Sequence, residues 1–268
     1  MTTATGPETS WPRRVPVSAA VRQSVTFAWR SILQIKHKPA ELLDLSVQPV
    51  MFTLLFTYVF GGAIGGTPHD YLQFALGGLI VQNALFLSIY AAIGLSADLK
   101  QGLFDRFRSL PIARGAPLAG RVLADVVRQL WSLIVLLIVG VVLGFRLTTG
   151  LASLLGAFAV LTMFTVAFAW LPVWLGVLAR DPEKVQVFGF VVVLPLTFTS
   201  NALVPLDTMP PWLRSWVSVN PVTQVNDTLR ALLSGGPVGG PLTATVLWSA
   251  AFAAVFGTFS VRALRSRV

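Results

Sequence analysis

The fold is decided by the stretch Leu130-Trp-Ser-Leu-Ile-Val-Leu-Leu-Ile-Val-Gly-Val-Val-Leu143. It carries no charged side chain, and its apolar and polar residues do not alternate. Crossing the ~30 Å hydrocarbon core of a bilayer takes about 20 helical residues. Because every backbone N–H and C=O in lipid needs an internal partner, an uncharged run of this kind is expected to be a helix. A membrane barrel would instead show alternating segments of about 10 residues.

Stretches of the same character recur along the 268 residues. Six are predicted to span the membrane: Leu42–Ile64, Tyr71–Ala97, Val122–Phe145, Leu151–Leu178, Val185–Leu206 and Leu242–Leu264. Hydrophobic residues make up 54% of the chain and charged residues only 12%, about half the usual share of a soluble domain. So few charges cannot cover a water-facing surface, so the sequence predicts an all-α polytopic membrane protein of six spans.

Several classes of site are excluded by residue type. The chain has no cysteine, which excludes disulfides and thiolate sites, and neither His37 nor His69 has a second ligand at metal-site spacing. A phosphate-binding P-loop needs a glycine directly before its lysine, and none of the four lysines follows a glycine. We therefore expect no catalytic, cofactor-binding or metal-binding residue.

The polar start Met1–Pro16 has no apolar core, so no cleaved signal peptide is expected.

The basic residues are distributed unevenly about the predicted spans. If the N-terminus is cytoplasmic, 17 of the 20 lysines and arginines fall on the cytoplasmic side, and only Arg146, Arg214 and Arg230 fall outside. The positive-inside rule then places both termini in the cytoplasm and supports an even number of spans. The basic residues that give the chain its net charge of +9 are scattered at the edges of apolar runs rather than clustered on one polar domain. No nucleic-acid partner is therefore expected.

The first 41 residues are predicted to lie outside the six-span domain, 42–264. Residues 1–16 read as a disordered tail, and residues 17–41 as an amphipathic helix in the cytoplasmic interface, with Trp29 beside basic residues. A soluble amphipathic helix that packs on a partner remains an alternative. The last residues, 265–268, form a cytoplasmic tail.

The segment between the fifth and sixth predicted spans, 207–237, carries helix signals of its own. Pro211 is suited to open a first short helix, while Asn220 caps a second one with Pro221 at its first position. Trp212 and Trp216 suit a membrane interface. We therefore predict a re-entrant or interfacial hairpin of two helices on the outer side.

The cytoplasmic segment 98–121 is too polar to insert, yet it has an apolar face. Leu103, Phe104, Phe107 and Leu110 recur at helical spacing, and Pro111 should end that helix. Such a helix lies either on lipid or in a groove of a partner protein, and its two phenylalanines favour the partner.

The predicted spans hold no carboxylate near their centres, which is where ion-driven carriers usually keep one. Any transport work is therefore expected to come from a partner. Polar side chains within spans more often bond between helices than bind a substrate. Candidates for a substrate path are Gln82, Asn83, Phe86, Phe198 and Asn201.

Three stretches resemble the membrane subunits of type-2 ABC exporters, particularly the actinobacterial daunorubicin-resistance permeases. They are Asp105-Arg-Phe-Arg-Ser-Leu-Pro-Ile-Ala-Arg114 continued by Leu118-Ala-Gly-Arg-Val-Leu-Ala-Asp125, then Arg180-Asp-Pro-Glu183, and Leu203-Val-Pro-Leu-Asp-Thr-Met-Pro-Pro-Trp212 leading to Asn220-Pro-Val-Thr-Gln-Val-Asn-Asp-Thr-Leu-Arg230. The likeness runs from about Val17 onward, with the motifs in matching order.

The resemblance implies a permease in a prokaryotic cell membrane that pairs with a second permease, identical or a sister subunit, above two ATPase subunits. Those partners would bind ATP and magnesium, and a drug, antibiotic or lipid would move outward. The residues implied to couple to the ATPase are Leu103, Phe104, Asp105, Arg106, Phe107, Arg108, Leu110, Pro111, Arg114, Arg180, Asp181 and Glu183, with a smaller cytoplasmic loop at 179–184. Those implied near the outer gate are Pro211, Trp212, Trp216, Asn220 and Pro221.

Three other functions remain open at this point. Export of a lipid-linked polysaccharide is one, because type-2 permeases perform it as well. A membrane scaffold that transports nothing is the second, and a secondary transporter is the third.

Overall fold

Every described element of the chain is helical. The computed structural model describes residues 22, 23, 26, 29, 39–101, 116–179 and 181–265, and no strand occurs within them. The principal helices are α1 Pro39–Leu55, α2 Pro68–Lys100, α3 Ala116–Val142, α4 Leu151–Phe168, α5 Trp170–Ala179, α6 Pro182–Phe198, α7 Pro211–Val219, α8 Pro221–Ser234 and α9 Gly239–Arg265. The predicted all-α class is confirmed for this part of the chain.

Five stretches within the described helices are long and apolar enough to cross a membrane. They are Leu45–Ile64, Pro68–Asp98, Val122–Val142, Leu151–Gly176 and Gly239–Ser260. These match the first, second, third, fourth and sixth predicted spans. The structure therefore supports a polytopic membrane protein.

The fifth predicted span, Val185–Leu206, differs from the others. Its helix, α6, has 17 residues and ends at Phe198. At 1.5 Å per residue it is about 26 Å long, slightly short of the ~30 Å hydrocarbon core. Residues 199–205 continue without regular helix before a short 3₁₀ turn at Leu206–Thr208. The total of six spans stays a prediction.

Two of the spans are irregular. The first continues from α1 through a π-helical turn, Phe56–Phe60, and a last helical turn, Gly61–Ile64. The fourth is interrupted at Ala169, between α4 and α5. Pro172 explains that break, because a proline has no N–H to bond the carbonyl four residues earlier and its ring crowds that carbonyl.

The centre of the bundle is α2. Of its most apolar stretch 72% is buried, against 17–33% for the other four candidate spans. Leu72, Leu76 and Ile80 of α2 are fully buried together with side chains of α3, α4 and α8. On the far side of α4, Phe164, Phe168 and Phe252 of α9 form a cluster of rings 5.2–6.1 Å apart. The other spans leave broad apolar faces exposed, as expected of helices that meet lipid.

Several predicted regions lie outside the described residues. These are the tail 1–16, most of the interfacial helix 17–41, residues 102–115 of the cytoplasmic segment, and 266–268. Of the interfacial helix, residues 22, 23, 26 and 29 are described and helical, and Trp29 is exposed.

Candidate transport and coupling sites

The start of α8 is fixed by Asn220, as the sequence predicts. Its Oδ1 accepts the backbone N–H of Val222 at 2.8 Å, which caps the helix that Pro221 opens. Its Nδ2 donates to the carbonyls of Leu196 and Thr199 at 2.9 and 2.8 Å. Asn220 is almost fully buried, so one side chain joins the end of α6 to the start of α8.

Three of the five residues predicted near the outer gate lie at this junction. Pro211 opens α7, and Trp212 is 74% exposed on it. The Trp216 indole N–H donates to Thr199 Oγ1 at 3.0 Å, which ties α7 to the chain that follows α6. Asn220 and Pro221 are buried beneath them. Trp216, Asn220 and Pro221 thus lie at the α6–α8 contact, while Pro211 and Trp212 are exposed on α7.

A buried polar cluster holds α8 against the irregular segment that follows α6. Asn201 Nδ2 donates to Asp227 Oδ1 at 2.7 Å, and Asn226 Nδ2 donates to Asn201 Oδ1 at 3.0 Å. Arg230 pairs with Asp227 at 3.0 Å and also donates to the carbonyl of Asn201. From the sequence, Asn201 is a substrate-path candidate and Arg230 only an outer basic residue. The three-residue spacing of Asp227 and Arg230 on a predicted helix was the available signal for their pairing.

The same cluster reaches the central helix α2. The Arg230 guanidinium donates from Nε and Nη2 to the carbonyl of Phe74 at 3.3 and 3.2 Å and lies 4.2 Å from the centre of the Phe74 ring. In α8, which is outside the five candidate spans, burial lowers the pKa of Arg230, while the Asp227 carboxylate raises it. Arginine still stays charged at neutral pH. This charge is held by one carboxylate, two backbone carbonyls and an aromatic face.

Gly78 of α2 allows the segment that follows α6 to lie directly against the backbone of α2. A Cβ built on Gly78 would overlap the backbone of Ala202, with contacts to its Cα and carbonyl carbon of 2.6 Å. Only a residue without a side chain fits there, because real Cβ atoms do not approach backbone so closely. The segment after α6 therefore packs directly on the backbone of α2.

The five residues predicted to line a substrate path occupy three places. Asn83 and Phe86 line a cleft of about 300 Å³ between α1 and α2, and Gln82 lies beside it. Asn83 donates to Ser132 on α3, and the Phe86 ring is 5.6 Å from that of Phe190 on α6. Phe198 is half-exposed at the end of α6, and Asn201 belongs to the polar cluster. None of the described cavities contains all five, so the path stays a prediction.

A second cleft, of about 270 Å³, lies where α1, α2, α3 and α4 meet. Its polar residues include Asp125, Arg128 and Gln129 from α3 and Thr165 from α4. Arg128 pairs with Asp125 at 2.7 Å, which confirms the helix-surface ion pair that their spacing predicts. The cleft itself was not predicted, because it forms from four helices that are distant in sequence.

The predicted coupling residues are described only in part. Leu103 to Arg114 and Arg180 lie outside the described residues. Asp181 pairs with Lys100 at 3.5 Å, which joins the end of α2 to the start of α6. Glu183 is exposed and lines a groove of about 690 Å³ together with Asp181, Lys184 and Phe188. Within the part of the chain that the structure covers, no cluster of three or more His, Cys, Asp or Glu could hold a metal.

The fold and the site together define the class of protein. A helical bundle with five candidate spans, apolar outer faces and no Asp, Glu, Lys or Arg at the described centres of those spans is a multi-pass membrane protein. The chain belongs to the ABC-2 type transporter family, whose pattern matches residues 22–233. The resemblance found in the sequence is thereby confirmed.

Individual relatives agree with that assignment. The chain is 36% identical to the daunorubicin resistance ABC transporter permease protein DrrB1 of Streptomyces coeruleorubidus, over 93% of this chain and 88% of that protein. It is 30% identical to the "Probable doxorubicin resistance ABC transporter permease protein DrrC" of Mycobacterium tuberculosis, over 78% and 76%. It is 26% identical to the doxorubicin resistance ABC transporter permease protein DrrB of the same organism, over 85% and 83%.

Membership in the ABC-2 type family assigns the membrane passage and ATP hydrolysis to different subunits. The chain is a permease, a membrane subunit that is not an enzyme, and ATP hydrolysis belongs to a separate ATPase partner.

Proposed function

We propose that this permease forms the membrane part of an exporter that moves a hydrophobic compound outward across a prokaryotic cell membrane. The observation that carries the proposal is the 36% identity to a daunorubicin resistance permease over 93% of the chain. The compound would be a drug, an antibiotic or a lipid. Anthracyclines such as daunorubicin are the first substrates to test.

The charges of the spans support an external source of energy. Asp70, Asp98, Asp125 and Arg128 lie toward the ends of the candidate spans, and the described centres carry no Asp, Glu, Lys or Arg. A charge at the bilayer centre costs about 2.5–3.5 kcal/mol on insertion scales and is kept there for a purpose such as ion coupling. Partner ATPases that bind ATP and magnesium would supply the work instead.

The arrangement we propose has two permeases, identical or sister subunits, above two ATPases. In each permease six helices cross the membrane, with α6 as the fifth, and both termini lie in the cytoplasm. The α7–α8 pair would form the re-entrant hairpin near the outer gate. Its buried α8 face and exposed Trp212 and Trp216 support that position, because such a hairpin needs both a protein-facing side and an interfacial side.

Coupling would occur through two cytoplasmic contacts. Phe104 and Phe107 would enter pockets of the ATPase, with Arg106 and Arg108 at the rim, as hot-spot contacts usually combine buried aromatics with arginines. The second contact would be the 179–184 loop. Its Asp181 is tied to Lys100, so a push on this loop would reach both α2 and α6.

Substitution of one phenylalanine tests this function. The permease would be co-expressed with its partner ATPase, and ATP-dependent daunorubicin uptake would be measured in inverted membrane vesicles. Phe107→Asp should weaken assembly with the ATPase and its stimulation by drug by about 30-fold, the effect of losing a hot spot worth ~2 kcal/mol. Phe107→Leu, which keeps an apolar anchor, is the control and should stay near wild type. Unchanged assembly and ATPase stimulation in Phe107→Asp would exclude this coupling element, and absence of ATP-driven uptake by wild type would contradict the export function.

A further inference from the structure

The second cleft is lined mostly by apolar side chains with a few polar ones, as small-molecule sites usually are. It lies between α1, α2, α3 and α4, and apolar side chains such as Leu87, Val122 and Val166 line it. None of the five predicted path residues contributes to it. It lies in the halves of α2 and α3 nearer to Lys100 and Ala116, which is the cytoplasmic half of the membrane in the proposed orientation.

Gln129 gives the cleft an unused hydrogen-bond donor. The side chain is 7% exposed, and its Oε1 accepts the Thr165 hydroxyl at 2.8 Å. Its Nε2 has no partner among the described residues. A buried amide donor without a partner is unfavourable, and the few that occur in proteins call for an explanation. Rotation about the soft terminal torsion, with loss of the bond to Thr165, would be needed to turn Nε2 toward the cleft.

The charges around the cleft compensate each other. Asp125 and Arg128 pair at 2.7 Å, and about a quarter of each side chain is exposed. Among the described lining residues, the cleft therefore presents no unbalanced charge to a ligand. Recognition would depend on apolar contact and on the Gln129 donor.

The cleft adjoins its neighbour. Leu45, Leu87 and Tyr90 line both this cleft, of about 270 Å³, and the cleft of about 300 Å³ between α1 and α2. Each is near the lower bound of small-molecule pockets, which hold about 300–1,000 Å³, and the two together fall within that range.

We propose that these two adjoining clefts together bind an amphipathic small molecule with an apolar body and an oxygen acceptor for Gln129 Nε2. The inference rests on the proposed function, because it identifies the bound molecule as the transported compound. It places the loading position inside a single permease, among its first four spans.

Direct binding to the purified full-length permease tests the site without any ATPase. The chain would be reconstituted in phosphatidylcholine nanodiscs and titrated with daunorubicin and with its uncharged aglycone, and the change in their fluorescence would be corrected with empty nanodiscs. Both probes carry carbonyl oxygens on fused rings. Gln129→Leu should raise the Kd for both by about ten-fold, the effect expected from losing one hydrogen bond to a buried donor.

Two further variants keep the test decisive. Leu87→Trp, which fills the cleft from its apolar wall and leaves Gln129 in place, should also weaken binding of both probes. Gln73→Leu is the matched control: Gln73 is on α2 but donates to the carbonyl of Gly144 at 3.2 Å, far from the cleft, so its loss should leave the Kd unchanged.

The outcomes separate this inference from the proposed function. Wild-type affinity in both Gln129→Leu and Leu87→Trp, with vesicle transport intact, would overturn the site alone. Native mass spectrometry that finds a phospholipid retained by wild type and lost from Gln129→Leu, with unchanged probe binding, would assign the cleft to lipid and also overturn it. Gln129-dependent binding without ATP-driven transport would support the site and contradict export.

Discussion

Arg230 shows how this chain keeps a charge inside a helical bundle. Its guanidinium meets the Asp227 carboxylate, the carbonyls of Phe74 and Asn201, and the face of the Phe74 ring. Planar guanidinium can serve all of these partners at once because it carries five N–H donors in fixed directions. The side chain thus joins three separate parts of the chain: α2, the segment after α6, and α8.

Removing that guanidinium should be costly. Arg230→Met leaves Asp227 with Asn201 as its remaining described partner and leaves two carbonyls with fewer donors. We expect the free energy of unfolding in detergent micelles to fall by about 2–3 kcal/mol, the usual effect of losing hydrogen bonds to a charged group. Tryptophan fluorescence during denaturation would measure it.

The control for that prediction is Arg214→Met. Arg214 lies on α7, is exposed, and donates to the carbonyl of Asp207 at 2.9 Å. Its loss should change the free energy of unfolding by less than about 0.5 kcal/mol. Equal stability of the two variants would mean that the cluster around Arg230 is not a structural centre.

Single residues differ in how well the sequence predicts their roles. The cap at Asn220 is predictable because capping depends on the two or three residues that follow. The partners of Asn201 and the unused donor of Gln129 are not predictable, since they depend on helices that are distant in the chain. Sequence periodicity identifies the buried face of a helix but not the residue opposite it.

Among the elements, α6 and α8 depend on each other. Helix α6 ends at Phe198, three residues after Pro195, and the chain then crosses the backbone of α2 at Gly78. Helix α8 covers that crossing, with Val222, Val225 and Leu229 fully buried. The irregular segment needs this cover, because its polar backbone groups would otherwise have no partners in a water-poor environment.

Gly78→Ala tests the crossing. The added methyl group would meet the backbone of Ala202, which cannot move aside as a flexible side chain can. Overpacking of this kind costs about 1–3 kcal/mol, so the variant should unfold at lower denaturant concentration than wild type. Gly62→Ala is the control, since nothing lies within 4 Å of the added carbon and a helical position gains from alanine. If Gly78→Ala were as stable as Gly62→Ala, the close packing of α2 on residue 202 would be wrong.

Long apolar elements were predicted well, and the end of α6 was not. Five of the six predicted spans correspond to helices long enough to cross a membrane, because a uniformly apolar run of about 20 residues must satisfy its backbone hydrogen bonds internally. Residues 199–206 are apolar enough to extend the prediction to Leu206, yet tertiary contacts at Asn201 and Ala202 compete with the helix there. The break at Ala169 was also missed, although Pro172 was its visible signal.

For the whole molecule, the contact between Lys100 and Asp181 places the end of α2 and the start of α6 at the same end of the bundle. The pair is largely exposed, and exposed pairs contribute only about 0–1 kcal/mol to stability. What it shows is that the two helix ends are neighbours. Under the positive-inside rule this end is cytoplasmic. It is also the end from which residues 102–115 connect α2 to α3.

The position of α6 across the membrane can be tested directly, because the chain has no native cysteine. Single variants Lys184→Cys and Ser215→Cys place a thiol at exposed positions before and after α6. If α6 crosses the membrane with its start inside, a membrane-impermeant maleimide should label Ser215→Cys in intact cells and Lys184→Cys only after permeabilisation, with the cysteine-free parent as background. The reverse pattern would invert the proposed orientation. Equal labelling of both in intact cells would mean that α6 does not cross the membrane. In that case α6 could not transmit a movement of the 179–184 loop, where the ATPase would bind, to the outer junction.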